Sequence, residues 1–593
     1  MSLSSKPDSA NTQKPLADNK MIVLLRQSRG FLPMIIVLLI LSFLIIFPYF
    51  TLIYGSFTDI PPRELAFSLD ALTVEKYEQI FTSIQFWSAL RNTLLSSLGG
   101  MIMALFIGVW LAWLTARTDV IGKKLIGIAA IVPLFLPAFI GALAWSFLGS
   151  PHMGIVNMFA SELGIPLKIN IYTLGGIMFV FGLYYTPYVY MFTNGSLNRM
   201  DPALEEASAI CGGSNFVTTF KVTFPLILPA ITSSAILVYI LMCEVFAVPA
   251  FLGQPGQLYF VTTVIYNWVR GAPPHDLNLA SAMGILLIVV VTILLFIQSR
   301  ILAKRSFVTV GGKGMRPKEV NLRWARVPCF ITAMLYLIAA VILPYVILIQ
   351  SALRDYVYIP DIASFFSTEV MSLRNFESAF TYPLFWTALQ NIILLAIFCG
   401  VVGAIFYTII SYMIHKTKLP GRDLLNYVCV LPIAVAGLVK GMAYLWAWIQ
   451  LPIGIYGTVW ILALAYISRF TPQGLRSISS SMVQIHPELE EASRISGEGV
   501  MGTIRKVLFP LVKPGVASAV TLIMLLVCRE LSTSIFLYTS NSVVMTVLVY
   551  DLWESGQWGT VAVAALTLSL VLLGLVILSR VVLKSELVGG KQR

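Results

Sequence analysis

Residues 31–54 read FLPMIIVLLILSFLIIFPYFTLIY, a run with no ionisable group other than tyrosine. As a helix it is long enough to cross roughly 30 Å of hydrocarbon. Only a helix or a closed barrel satisfies the backbone there, and nothing in this run alternates as a barrel strand would. Similar runs recur to the end of the chain, so the fold class expected is an all-α polytopic membrane protein. The pattern predicts twelve spans: 31–54, 88–114, 125–148, 174–193, 226–253, 279–303, 328–351, 387–413, 425–449, 457–474, 514–538 and 559–579. The first run is too long for a signal-peptide core and has no small-residue cleavage site behind it, so it is expected to stay. Residues 1–20 are polar and expected to be disordered.

Orientation follows from lysine and arginine. Of the loops on this map, the set containing residues 1–30, 115–124, 194–225, 304–327, 414–424, 475–513 and the far tail holds about thirty basic residues, and the opposite set about six. Both termini are therefore expected in the cytoplasm. The net charge of +12 comes mostly from this bias, which leaves a nucleic-acid reading without support. The cysteines, Cys211, Cys243, Cys329, Cys399, Cys429 and Cys528, form no CxxC pair and read as small apolar residues.

The chain repeats itself. LEEASAICGG at 204–213 returns as LEEASRISGE at 489–498, an offset of 285 that also pairs Pro202 with Pro487, Phe224-Pro225 with Phe509-Pro510 and Pro229 with Pro514. Upstream, Phe86-Trp87 and Asn92 pair with Phe385-Trp386 and Asn391 at an offset of 299, and FPY at 47–49 matches LPY at 343–345. The expected plan is a tail (1–30), a six-helix unit (31–303), a basic linker (304–327), a second six-helix unit (328–580) and a tail (581–593). An even number of spans gives both units the same orientation, related by an axis along the membrane normal.

Each repeated segment falls between the fourth and fifth spans of its unit. Proline in the first turn, a capping Asp201 and acids near the amino end all favour a short helix, which Gly212 or Gly497 then lets turn. The pattern Glu206-Ala207-Ser208, Gly212, Val222, Phe224-Pro225, repeated as Glu491-Ala492-Ser493, Gly497, Val507, Phe509-Pro510, resembles the signature of permease subunits of bacterial binding-protein-dependent ABC importers. Serine replaces the usual last alanine. The resemblance implies a pseudo-twofold type I ABC importer permease fold. It also implies that Glu205, Glu206, Ala207, Ser208 and Gly212, with Glu490, Glu491, Ala492, Ser493 and Gly497, form coupling helices for two copies of a cytoplasmic ATPase subunit. ATP and magnesium would belong to those partners, and a periplasmic binding protein would deliver the solute.

Nothing in the chain reads as an ATPase or any other enzyme. Gly497-Glu-Gly499-Val-Met-Gly502 fits GxGxxG but follows no strand, and Gly311-Gly312-Lys313 lacks the rest of a phosphate loop. The histidines do not cluster at metal-ligand spacing, and no cofactor or metal is expected. Inside the spans, where charge is costly, lie Glu244, Lys440, Arg469, Arg529 and Glu530. The 285 offset sets Glu244 opposite Arg529, so the two are expected near the interface, pairing in one state as a gate or merely fixing helix packing. Lys440, between Gly437 and Gly441, lines the route, snorkels or pairs with Glu530. Arg469, near a span end, reads as an anchor.

The fused two-repeat form with RELSTSIFLY in span eleven most resembles permeases of the ferric-iron importers. Relatives of that group carry thiamine, polyamines, phosphonates or phosphorylated small molecules, which stay open as cargo. An ion-coupled secondary transporter using Glu244, Glu530 and Lys440 as a proton relay is the competing class.

Overall fold

The computed structural model describes residues 32–60, 68–271, 273–303, 319–356, 359, 361–417, 419–449, 451 and 454–583. Residues 1–30, 304–318 and 584–593 of the expected tails and linker, with Gly311-Gly312-Lys313, lie outside them.

The described residues form a helical bundle in which eight helices, or ten with two bent pairs counted as one span each, are long and apolar enough to cross a membrane, against the twelve expected. The eight are Leu32–Ser56, Ile84–Arg117, Asn215–Glu244, Leu277–Ile301, Arg323–Ala352, Phe385–Lys416, Met501–Cys528 and Trp558–Leu583. Counting along the chain, these are spans one, two, five, six, seven, eight, eleven and twelve. Spans four (Leu174–Arg199) and ten (Val459–Val483) are helices of 26 and 25 residues. They are more polar than the rest because protein surrounds them: Tyr184, Thr186 and Thr193, and likewise Tyr466, Ser468 and Thr471, are buried.

Three expectations for the spans need correction. The third span of each unit is not straight: Lys123–Phe135 meets Ala138–Gly149 at 96°, and Arg422–Ala434 meets Gly437–Trp448 at 113°. In the first unit Pro137 forces Leu136 into an extended conformation, which a helix cannot continue. The second unit makes the same turn at Val435 and Ala436. Span five was expected to run to 253 but stops at Glu244, and span eleven, expected to run to 538, stops at Cys528. The chain continues in short pieces, Ala247–Gly253 and Ser534–Leu537. Such irregular backbone is tolerable at this depth because protein, not lipid, encloses it: Phe246 to Leu252 and Leu531 to Leu537 are buried. Freed carbonyls find partners, since Thr262 donates to the Val245 carbonyl at 3.2 Å and Thr546 to that of Glu530 at 2.8 Å.

Among the described residues four widened helical turns occur at related places, Ser42–Ile46 and Ile338–Ile342 in spans one and seven, Thr219–Thr223 and Ile504–Leu508 leading into spans five and eleven. Each precedes a proline, Pro48, Pro344, Pro225 or Pro510. A ring with no N–H breaks the regular ladder, and a π turn is one way to absorb the mismatch.

The units interlock through their first spans. Ser468 of span ten donates to the Leu44 carbonyl inside the widened turn of span one (3.1 Å), and Tyr336 of span seven donates to Leu183 of span four (3.1 Å). At Gly55 any side chain would strike Trp446, 2.9 Å from where its Cβ would stand. Each first span is thus packed against the opposite unit.

Candidate functional site

The two acidic segments fold as short helices, Ala203–Ile210 and Pro487–Ile495, each following the fourth long helix segment of its unit. Asp201 accepts from the Ala203 amide at 3.0 Å, which satisfies one of the free donors of the first turn. Gly212 (φ +82°) and Gly497 (φ +86°) end the helices in a left-handed turn that other residues adopt at a cost.

The paired acids divide their work. Glu205 accepts from Arg117 Nε at 3.1 Å and from the Thr223 hydroxyl at 2.6 Å, and Arg117 also donates to the Leu197 carbonyl at 2.7 Å. In the second unit Lys416 Nζ lies 3.1 Å from Glu490 and donates to the Ile485 carbonyl at 2.8 Å. Arg117 and Lys416 both close the second span of their unit, 299 positions apart. Sequence reasoning missed these partners, although extending the 299 register from Asn92 and Asn391 would have paired them. The second acids, Glu206 and Glu491, are exposed. So are Leu204 and Leu489, 47% and 46%, and Ile210 and Ile495, each 87%. Ala207 and Ala492 are exposed as well. Ser208 and Ser493 instead face inward, hydrogen-bonded to Thr218 (2.8 Å) and Thr503 (3.0 Å) at the foot of spans five and eleven.

Each acidic helix is thereby fastened to a long helix that runs into the middle of the bundle. Span five ends at Glu244; span eleven ends at Cys528, just before Arg529 and Glu530. The charges there come from both units. Arg469 Nη1 meets Glu530 Oε1 at 2.5 Å and also bonds Thr533. The Thr533 hydroxyl donates to the Gly437 carbonyl at 3.0 Å, and its amide to Glu530 at 2.7 Å. Gly437 exists for this approach: a Cβ there would lie 1.9 Å from Arg469 Nη1. Gly441 likewise leaves room for the Thr533 carbonyl, 2.6 Å from its absent Cβ.

Arg529 crosses between units, donating to the Leu134 carbonyl at 2.8 Å in the kink of span three. It does not pair with Glu244 in this conformation. Glu244 Oε1 is buried without a hydrogen-bond partner among the described residues. Lys440 is buried, 5% exposed, and its ammonium has neither an ion pair within 4.0 Å nor a hydrogen bond to a described residue. It sits in the first turn of Gly437–Trp448, where the helix dipole disfavours a cation. Arg469, read as an anchor, is instead the centre of this network. Among the described residues no His, Cys, Asp and Glu group is disposed to hold a metal ion.

The chain matches the family described as binding-protein-dependent transport system inner membrane component over residues 104–308 and 420–582, one match in each unit. It is 25% identical over 550 residues to the ferric transport system permease protein FbpB of Actinobacillus pleuropneumoniae, covering 91% of this chain and 76% of that one. A putative ferric transport system permease protein FbpB 1 of Haemophilus influenzae is also 25% identical, over 85% of this chain and 77% of its own. Among solved structures, a bacterial alginate ABC transporter in complex with its alginate pentasaccharide-bound periplasmic protein aligns with a TM-score of 0.35 at 21% identity, covering 39% of this chain and 85% of that one. With the family pattern filling most of both units, this chain belongs to the inner membrane components of binding-protein-dependent transport systems, in a fused two-repeat form.

Proposed function

We propose that this chain is the complete translocation pathway of an ATP-driven ferric-iron importer, with both termini in the cytoplasm. The observation that carries the reading is the pair of matched helices. Each is locked to the bundle by a buried acid, Glu205 or Glu490, and offers an exposed acid, Glu206 or Glu491, beside exposed Leu204 and Ile210 or Leu489 and Ile495. An apolar knob ringed by one carboxylate suits a cleft with basic groups on another protein. Two copies of a cytoplasmic ATPase subunit dock there, holding the ATP and magnesium that this chain does not bind. A binding protein delivers solute to the opposite face.

Spans five and eleven act as levers. A push on either acidic helix passes through the Ser208–Thr218 or Ser493–Thr503 contact to the helix that ends at Glu244 or just before Arg529, so the central charges shift when the ATPases close. Glu244, Lys440, Arg529 and Glu530 line or gate the route. Ferric iron as cargo rests on the likeness to ferric permeases along 91% of the chain. The test is reconstitution with its ATPase and candidate binding proteins loaded with ferric iron, thiamine or a phosphate ester. Stimulation of ATP hydrolysis by the ferric form is expected; stimulation by another loaded form alone moves the cargo. Glu206→Lys with Glu491→Lys should abolish assembly and stimulation, and normal turnover in that variant overturns the docking. Uptake driven by a proton gradient without any ATPase would favour a secondary transporter.

A further inference from the structure

Beside the first acidic helix lies a cavity of about 560 Å³ whose walls include Phe106, Trp110 and Trp113 of span two, Phe216 and Phe220 at the foot of span five, and Val320 of the linker. The Trp110 and Trp113 rings stack at 5.5 Å and those of Phe216 and Phe220 lie 4.5 Å apart. Phe106 is 79% exposed and Phe216 72%, so the groove opens outward. Its depth is fixed by the sequence: residues 106–113 are the last turns of span two before Arg117. That is the leaflet on the acidic-helix side, where the medium beside a span is acyl chain. Water gains little against such a wall, because a buried water needs two or more polar partners.

Charge makes the site particular to the first unit. Lys221 follows Phe220, and Arg323 lies three residues beyond Val320; both are exposed, and neither is ion-paired to a described residue. The counterpart of Lys221 is Lys506, whose ammonium is 2.5 Å from Glu498. The residue matching Glu498 in the first unit is Gly213, so Lys221 has no such acid. At the same offsets Phe220 becomes Arg505, and Trp110 and Trp113 become Ile409 and Tyr412.

We propose that this groove binds one phospholipid with an anionic headgroup. Its acyl chain lies among these aromatic rings, and its phosphate meets Lys221 and Arg323. The lipid then wedges between the end of span two, which holds Glu205 through Arg117, and the foot of span five, and so stiffens the first acidic helix but not the second.

The test is native mass spectrometry of the full chain in detergent, titrated with phosphatidylglycerol or phosphatidylethanolamine of matched chains. One phosphatidylglycerol should be retained about fivefold over phosphatidylethanolamine, and Lys221→Gln should lose about that preference. Phe216→Ala with Phe220→Ala should lose the bound lipid altogether, while Lys506→Gln retains it. Thermal unfolding of each variant checks that it is folded. Equal retention of the two lipids, or retention unchanged by Lys221→Gln, overturns the proposal. So does a rise in retention when residues 1–20 are deleted, since that makes the chain's own tail the occupant. The readout involves neither ATPase nor solute, so it stands or falls apart from the importer reading.

Discussion

Glu205 and Arg117 form a buried ion pair, Oε1 to Nε 3.1 Å, in which the arginine side chain is 2% exposed and the carboxylate 13%. The neighbouring Glu206, one peptide away, is exposed. Two adjacent identical side chains therefore stand in opposite settings, one ion-paired against span two and one exposed.

That contrast is measurable. Glu205→Ala leaves a guanidinium buried with no counter-charge and should cost about 3 kcal/mol of stability, since removing one partner of a buried pair exposes the full desolvation penalty of the other. Glu206→Ala should leave the unfolding midpoint where it is. Thermal unfolding in detergent compares them, and equal midpoints would show that the pair adds nothing.

Gly437→Ala should destabilise by about 1–3 kcal/mol, because its methyl would occupy the position of Arg469 Nη1 and separate that group from Glu530. Gly574→Ala is the control. No atom lies within 4 Å of its Cβ position in the helix Trp558–Leu583, and alanine there should stabilise by about 0.5–1 kcal/mol. Denaturation midpoints moving in the same direction for both would sink the argument.

Glu244→Ala removes a buried carboxylate oxygen with no hydrogen-bond partner, so its stability should hold or rise. Solute uptake by reconstituted vesicles should nevertheless fall at least about tenfold, the equivalent of 1.4 kcal/mol on the barrier. Exchanging the charges, Glu244→Arg with Arg529→Glu, should restore much of it if the two pair during the cycle. Unchanged uptake in Glu244→Ala leaves the residue a packing element only.

Asp551, in the helix Met545–Glu554 between spans eleven and twelve, accepts from the Tyr538 hydroxyl at 3.0 Å. Burial pushes its pKa up from 3.8 to about 6, only partly offset by that hydrogen bond. The native state thus holds the proton more tightly than the unfolded chain. The stabilisation it confers is full below about pH 4 and is lost as pH rises through about 6. Asp551→Asn should therefore be more stable than the parent by about 3 kcal/mol at pH 7.5 and about equal to it near pH 3. A difference independent of pH would refute the assignment.

The sequence by itself determined the solvent, the twofold repeat and the place of the acidic segments. These depend on local facts: uninterrupted apolar length, the tally of lysine and arginine, and a register that survives across 285 residues. What it left undecided was everything that depends on which group stands across a gap. The kinks at Leu136 and Val435 were hidden because an apolar run reads as one span whether straight or bent. The ends of spans five and eleven were overrun for the same reason. Glu205 and Glu206 are indistinguishable in the string LEEAS; only packing against the end of span two buries one and leaves the other in water. Arg469 looked like an anchor because its position along the span suggested an edge, yet folding brings Gly437 close enough to admit it to Glu530. Hydrophobic patterning is additive along the chain, whereas pairing of buried charge is a property of three-dimensional neighbours, and that is why the first could be read and the second had to be seen.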